Sequence, residues 1–150
     1  MTGPRDFEQR RLDTLHRLDH DVDAWVASAG ADGPYLVPLS FLWDGSTFLL
    51  STALSTPTAR NLRVDPGVRL GIGATRDVVL VVGAVAEVVP AADLPTDTGD
   101  AFAAKTGFDP RMLRSPYGYF RVVPQRVQAW REEDELTGRD LMVDGVWLTT

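Results

Sequence analysis

The chain alternates between short apolar runs and turn-forming residues, which is typical of an antiparallel β-sheet. The apolar runs are residues 22–29, 35–43, 48–52, 68–74, 78–89, 117–130 and 141–148. Asp44-Gly45 is a strong signal for a hairpin turn after the second run, and Asp144-Gly145 marks a turn within the last one. The pattern therefore predicts six or seven strands, many of them in simple succession.

Three further segments have the pattern of short helices. Residues 7–18 carry leucines at positions 12, 15 and 18 between charged residues, which predicts an amphipathic helix with that face on the core. Residues 57–64 follow a helix-start signal, and residues 97–106 place Phe102 on an inner side. This mixture favours a mainly β fold, a closed or partly closed antiparallel barrel, over a doubly wound sheet.

Two residues interrupt the strand pattern. Pro38 lacks a backbone N–H, so it predicts an edge, a bulge or a place where something other than a strand faces the backbone. Gly83 predicts a bulge within residues 78–89, a run that is apolar on both faces for much of its length. That run should be central, or buried at an interface.

Composition narrows the class of protein. The 150 residues fit one domain spanning 1–150, and the absence of cysteine excludes disulfides and thiolate chemistry. A formal charge of −6 argues against nucleic acid as a partner. Without an apolar leader or a run of membrane-span length, we expect a cytoplasmic protein with no membrane partner. Arginine supplies nearly all the positive charge, since Lys105 is the only lysine.

Residues 49–66 form the stretch most suggestive of binding, because a strand runs into a polar turn and then a helix. Thr56 can cap that helix, and Pro57 suits its first position. The helix N-terminus and the hydroxyls of Thr56 and Thr58 would suit a phosphate. Two arginines, Arg60 and Arg63, add positive charge within about a turn. An ordinary capped helix is the alternative interpretation.

Common catalytic and metal-binding motifs do not explain this chain. No GxGxxG, Walker, GxSxG or HExxH pattern occurs. His16 and His20 are the only histidines and could share a metal, but no third ligand is obvious, so we expect no metal site. A haem would normally need an axial histidine, and both histidines lie in the opening helix region.

The order of these segments resembles the pyridoxamine 5'-phosphate oxidase-like superfamily of FMN-binding split β-barrels. The resemblance rests on VPLSFLWDG and on STPTARNLRVDPGVRLGI, and it extends from about Leu12 to Trp130. The chain is also similar to the flavin/deazaflavin oxidoreductase group within that superfamily. The resemblance implies a homodimer whose cofactor, FMN or coenzyme F-420, lies at the subunit interface and transfers hydride to or from a small-molecule substrate.

The resemblance also implies where the cofactor lies, although it assigns no catalytic residue. Backbone around Pro38 to Phe41 would face the ring, with Ser40 as a hydrogen-bond donor, and three aromatic residues would wall the pocket from the partner subunit. The residues implied in cofactor binding are Pro38, Leu39, Ser40, Ser51, Thr52, Thr56, Thr58, Arg60, Asn61, Tyr117, Tyr119 and Trp130.

This sequence departs from the family at the phosphate. Members often carry serine or arginine at the position of Thr56 and lysine at the position of Thr58. Losing a fixed cation removes a charge-assisted contact of about 1.5–3 kcal/mol, which predicts an exchangeable cofactor or a changed ligand. Two alternatives therefore stay open: a non-catalytic protein that binds FMN or a small anion as carrier or sensor, and a structural module. Pyridoxamine phosphate oxidation itself is not expected, because no second basic cluster is evident.

Overall fold

The computed structural model describes residues 3–150, which form eight β-strands and three α-helices. The helices are α1 (Phe7–His20), α2 (Pro57–Val64) and α3 (Thr96–Thr106). The strands are β1 (Asp23–Gly30), β2 (Gly33–Trp43), β3 (Phe48–Ala53), β4 (Gly67–Ile72), β5 (Val78–Pro90), β6 (Tyr117–Trp130), β7 (Asp140–Val143) and β8 (Val146–Trp147). The strand count exceeds the prediction because residues 141–148 fold into two short strands. Between them, Asp144 and Gly145 have φ values of 52° and 76°, as a tight hairpin turn requires.

The strands form an antiparallel barrel, which confirms the predicted fold class. Their order is β3-β2-β1-β4-β5-β6, and a pairing between β3 and β6 closes the ring. β7 and β8 extend the sheet beyond β6. Within residues 3–150, no helix has the length and apolar character of a membrane span.

The barrel interior holds the main core. Fully buried side chains from several strands meet there, among them Val26, Phe41, Leu50, Phe120 and Val122. A second, smaller cluster lies outside the barrel beneath α3, where Phe102 meets Tyr119 edge-on with ring centroids 5.3 Å apart. The prediction that Phe102 faces inward is confirmed.

β2 changes partner along its length. Residues 33–40 pair with β1, whereas the register with β3 covers only Phe41↔Leu50 to Trp43↔Phe48. Pro38 lies in the half that has a neighbour on one side only, so the missing N–H costs no ladder bond. The predicted strand edge at Pro38 is confirmed, and it opens the barrel wall between β2 and β3.

The bulge predicted at Gly83 is also confirmed, since the register of β5 against β6 shifts between Val82 and Gly83. A Cβ at Gly83 would lie 2.7 Å from Val122 Cγ1 and 2.9 Å from the Val123 carbonyl oxygen. The two strands approach too closely here for a side chain.

The buried face of α1 differs from the predicted one. Leu12 is 48% exposed, and the helix buries Arg10, Thr14 and Leu18 at a four-residue spacing. Arg10 is buried because Nη1 donates to the carbonyls of Ala129, Glu135 and Gly138. These acceptors come from the end of β6 and the loop after it, so this contact leaves Leu12 toward solvent, while Leu18 of the predicted stripe is fully buried.

Candidate functional site

A cleft opens on the outer side of the barrel where β2 and β3 separate, with a volume of about 310 Å³. Its lining combines residues from both strands with one each from β1, β6 and the loop after α3. They are Asp23, Pro38, Leu39, Ser40, Ser51, Thr52, Phe108 and Tyr117. Six of these were predicted as cofactor-binding residues, and the structure brings those six together. We refer to this site as the β2–β3 cleft.

Backbone groups of β2 face this cleft. Phe41 N–H donates to the Val22 carbonyl at 2.9 Å, so the backbone N–H of Phe41 points toward the β1 side of β2. Because hydrogen-bonded pairs alternate along an antiparallel ladder, the Ser40 N–H and the Pro38 carbonyl point the other way. The ladder to β3 ends at Phe41↔Leu50, so neither group has a strand partner there. The cleft thus presents one donor and one acceptor at a fixed spacing.

Side chains add to this polar edge. Ser40 Oγ donates to Asp23 Oδ1 at 2.9 Å, which fixes the hydroxyl with a lone pair left over to accept. Asp23, at the start of β1, was not predicted as a site residue, and only its place opposite Ser40 in the strand register reveals it. On the β3 side, Ser51 Oγ donates to the Gly118 carbonyl at 3.0 Å and helps hold β3 against β6.

Two aromatic rings form the far wall. Phe108 and Tyr117 meet at an interplanar angle of 65° with centroids 5.8 Å apart. Phe108 was not predicted, because its position depends on the end of α3. Thr106 Oγ1 accepts from Phe108 N–H at 3.2 Å and so fixes this residue to the helix end.

The turn before α2 uses its hydroxyl groups internally. Thr56 Oγ1 donates to the Ala53 carbonyl, accepts from Ala59 N–H at 3.2 Å and lies 3.2 Å from Thr52 Oγ1. Arg60 N–H donates to the Thr56 carbonyl, and Pro57 has no N–H. Of the first helical positions only the Thr58 N–H remains for a ligand, while the Thr58 side chain is buried. The predicted capping role of Thr56 is confirmed.

Replacing Thr56 with alanine should therefore act first on stability. Loss of an N-cap costs about 1 kcal/mol, within a usual range of roughly 0.5–2 kcal/mol. Urea unfolding of Thr56→Ala beside Ser55→Ala, an exposed neighbour whose side chain makes no such bond, would measure the difference. Equal stability of the two variants would contradict the capping role.

Two other predicted residues belong to α2 rather than to the cleft lining. Asn61 Nδ2 donates to Ser28 Oγ at 3.1 Å. The same amide packs closely on Gly30, because a Cβ at Gly30 would lie only 2.8 Å from Asn61 Oδ1. Asn61 therefore joins α2 to the end of β1. Arg60 is exposed, and its Nη1 donates to the Ser55 carbonyl. Both residues border a separate groove next to the β1–β2 turn.

The remaining aromatic predictions lie elsewhere in the chain. Tyr119 is fully buried beneath α3, its hydroxyl has no hydrogen-bond partner, and burial raises its pKa. Trp130 lies thirteen residues beyond Tyr117 on β6, roughly 40 Å along an extended strand. Within one chain, therefore, neither residue lines the β2–β3 cleft.

An apolar surface borders the cleft on the outside of the barrel. The register aligns Pro38 with Trp25, Trp25 with Gly71 and Gly71 with Leu80. We call Trp25, Ala27, Leu36, Gly71 and Leu80 the outer apolar surface; Trp25 is 52% and Leu36 60% exposed. Trp130, paired with Val78, lies on the same outer side at the opposite border of this surface.

A half-buried lysine lies behind the cleft. Lys105, in the last turn of α3, donates from Nζ to the Phe41 carbonyl at 3.0 Å and to the Leu18 carbonyl at 3.1 Å. Burial lowers the pKa of Lys105 to about 8, although the nearby carboxylates of Asp19 and Asp21 oppose the shift. Its contacts join distant segments, so no local sequence signal points to it.

The histidines lie away from the cleft, on α1. The rings of His16 and His20 stack with centroids 4.0 Å apart, and His20 Nδ1 lies 2.8 Å from the His16 carbonyl oxygen. Over residues 3–150, no group of three or more His, Cys, Asp or Glu side chains is placed to hold a metal ion.

Comparison with solved structures shows the same fold. An F420 reductase aligns with a TM-score of 0.61 and 19% identity over 75% of this chain and 93% of the other. An FAD-binding protein from Mesorhizobium loti aligns with a TM-score of 0.58 and 19% identity over 78% and 89%. HutZ, a heme storage protein from Vibrio cholerae, aligns with a TM-score of 0.62 and 16% identity over 80% and 94%. Identities this low establish the fold alone.

Comparison at the sequence level identifies the family. A search of curated proteins found no match to this chain. The family model described as pyridoxamine 5'-phosphate oxidase matches residues 19–131, from the end of α1 to just beyond β6. That range contains the β2–β3 cleft, α2 and all twelve predicted cofactor-binding residues. The chain therefore belongs to the pyridoxamine 5'-phosphate oxidase family.

Proposed function

We propose that the chain is an oxidoreductase that holds a flavin-type cofactor, FMN or coenzyme F-420, in the β2–β3 cleft. The observation that carries the proposal is the strand edge at Pro38 and Ser40, where a carbonyl and an N–H face the cleft without strand partners. The heterocyclic rings of both cofactors carry adjacent hydrogen-bond donors and acceptors along one edge, which such a backbone can match. When bound, the cofactor supplies hydride transfer, and the protein supplies position and electrostatics.

The cleft residues have distinct roles in this arrangement. The Ser40 N–H and hydroxyl, fixed by Asp23, would orient the polar edge of the ring. Tyr117 and Phe108 would cover an apolar face, because aromatic side chains stack well on planar ligands. Thr52 and Ser51 would close the β3 side. The Thr58 N–H, at the start of α2, would meet the phosphate without a fixed ammonium group, and the exposed Arg60 of the same helix would add positive charge.

A second copy of the chain would complete the site. The cleft volume of about 310 Å³ lies at the lower end of the range for ligand pockets, roughly 300–1,000 Å³. The outer apolar surface continues from Pro38 and would be buried in a two-fold dimer. Trp130, at the opposite border of that surface, would then come from the partner to cover the cleft. A homodimer thus accounts for a predicted residue that one chain leaves distant.

Titration with FMN and with F-420, followed by fluorescence, tests the proposal. We expect one of them to bind, and Ser40→Ala to weaken binding roughly fivefold, the effect of losing about 1 kcal/mol from one hydrogen bond. Ser46→Ala, an exposed serine in the adjacent hairpin turn, is the matched control and should bind like wild type. The proposal fails if neither cofactor binds.

A non-catalytic carrier or sensor of FMN or a small anion is the second candidate. It is favoured by the chemistry of the cleft. Among the lining residues, all of which the structure describes, only Asp23 and Tyr117 have an ionisable side chain that could serve as an acid or base. Asp23 is already engaged by Ser40. This candidate would be supported if the protein binds the cofactor and the bound cofactor reacts with nicotinamide donors and small quinones no faster than the free cofactor does.

A further inference from the structure

The ammonium group of Lys105 joins three separate elements. It lies in the last turn of α3, and Nζ donates to the Leu18 carbonyl on α1 at 3.1 Å and to the Phe41 carbonyl on β2 at 3.0 Å. Nζ also lies 3.8 Å from the centre of the Phe41 ring, within the range of a cation–π contact. Lys105 is the only lysine of the chain.

Both acceptors suit a positive charge. Leu18 lies in the last turn of α1, where carbonyls lack helical partners and carry the negative end of the helix dipole. The Phe41 carbonyl lies at the end of the β1–β2 ladder, just beyond the Asp23↔Ser40 pair. Because both oxygens need a donor, a neutral apolar side chain at position 105 would leave them without this partner.

Phe41, which Lys105 binds, and Thr106, which follows Lys105 in the chain, each lead to a wall of the β2–β3 cleft. Phe41 directly follows Ser40, whose N–H and hydroxyl form the polar edge. Thr106 directly follows Lys105, and its hydroxyl accepts from Phe108 N–H at 3.2 Å and donates to the Phe102 carbonyl at 2.8 Å. Lys105 therefore links the polar edge to the aromatic wall, beside the packing of Phe102 on Tyr119 that also holds α3.

We propose that Lys105 is a positioning residue of the β2–β3 cleft: its ammonium group holds the Phe108 wall at a fixed distance from the Ser40 edge. It does not touch the ligand and acts through Phe41 and Thr106. The expected effect on cofactor affinity rests on the proposed function. The fixed position of the Phe108 wall does not, because it is a property of the chain without a ligand.

Hydrogen–deuterium exchange of the ligand-free protein tests the fixed wall directly. In Lys105→Met, which keeps the side-chain length and removes the charge, amides of residues 106–117 should exchange roughly tenfold faster, the effect of losing one charge-assisted hydrogen bond. Residues 78–90 of β5 serve as the internal reference and should exchange as in wild type. Lys105→Arg keeps the charge and the donors and should restore most of the protection.

Cofactor titration of the same variants gives the second readout. Affinity for whichever cofactor the wild type binds should fall in Lys105→Met and recover in Lys105→Arg. Unchanged exchange in residues 106–117, or an equal rise there and in β5, would overturn the positioning role, because the lysine would then have no effect or only a global one. If the wild type binds neither FMN nor F-420, the proposed function fails, while the exchange comparison still decides whether Lys105 fixes the wall.

Discussion

Replacing Glu135 with alanine should lower the free energy of unfolding by about 3–5 kcal/mol, the usual cost of removing one member of a buried ion pair. Glu135 is only 2% exposed. Its carboxylate accepts from Arg5 Nη2 at 2.8 Å, from Arg5 Nε at 3.0 Å and from the backbone N–H groups of Arg5 and Arg131. The variant would leave the Arg5 guanidinium, itself 8% exposed, without its main partner.

Chemical denaturation measures the loss, with Glu133→Ala as the matched control. Glu133 is an exposed glutamate two residues away, and its replacement should change stability by no more than about 0.5 kcal/mol. Similar midpoints for the two variants would contradict the role of the Arg5–Glu135 pair, which links the N-terminal segment before α1 to the loop after β6.

The same ion pair predicts a dependence on acid. Hydrogen bonds from Arg5 lower the pKa of Glu135 from its usual value near 4.5 to about 2. A carboxyl group with a lowered folded pKa contributes its full stabilisation above the unfolded pKa and loses it as the pH falls through the folded one. The stability difference between wild type and Glu135→Ala should therefore be constant above about pH 5 and shrink toward pH 2.

Local signals explain how far the fold could be predicted. The limits of α2 are those expected, because Thr56-Pro57 starts the helix and Asp65-Pro66 ends it through short-range stereochemistry. The face of α1 was predicted correctly at Leu18 and wrongly at Leu12, because carbonyls more than a hundred residues away accept from Arg10 and bury it instead. Long-range hydrogen bonds of this kind leave no periodic trace in the sequence.

The candidate site divides in the same way. Pro38 and Ser40 were predicted because a proline within a strand marks an open edge, and the family resemblance placed the cofactor there. Phe108 and Lys105 were not, since Lys105 is placed by its contact with β2 and Phe108 by the end of α3 and by Tyr117 of β6. The phosphate interpretation of Thr56 followed from residue types alone, whereas the structure shows its hydroxyl engaged by Ala53 and Ala59.

Leu36→Asp should convert the proposed dimer into a folded monomer that binds cofactor poorly. Leu36 lies in the outer apolar surface and is 60% exposed in the single chain, so an aspartate there costs the monomer little. At a subunit interface the change would cost roughly 2–4 kcal/mol, or about a 30- to 700-fold weaker dimer. Light scattering coupled to size exclusion would measure the mass, and cofactor titration would measure the site.

The comparison with Val146→Asp makes this result specific. Val146 is 65% exposed on β8, outside the outer apolar surface, so the same introduced charge should leave both mass and cofactor affinity unaltered. Loss of the dimer with full cofactor affinity would show that one chain completes the site and that Trp130 does not cover a partner's cleft. We expect only Leu36→Asp to lose both the dimer and cofactor affinity. The β2–β3 cleft and the outer apolar surface meet where Pro38 pairs with Trp25, so a partner that covers one also covers the other.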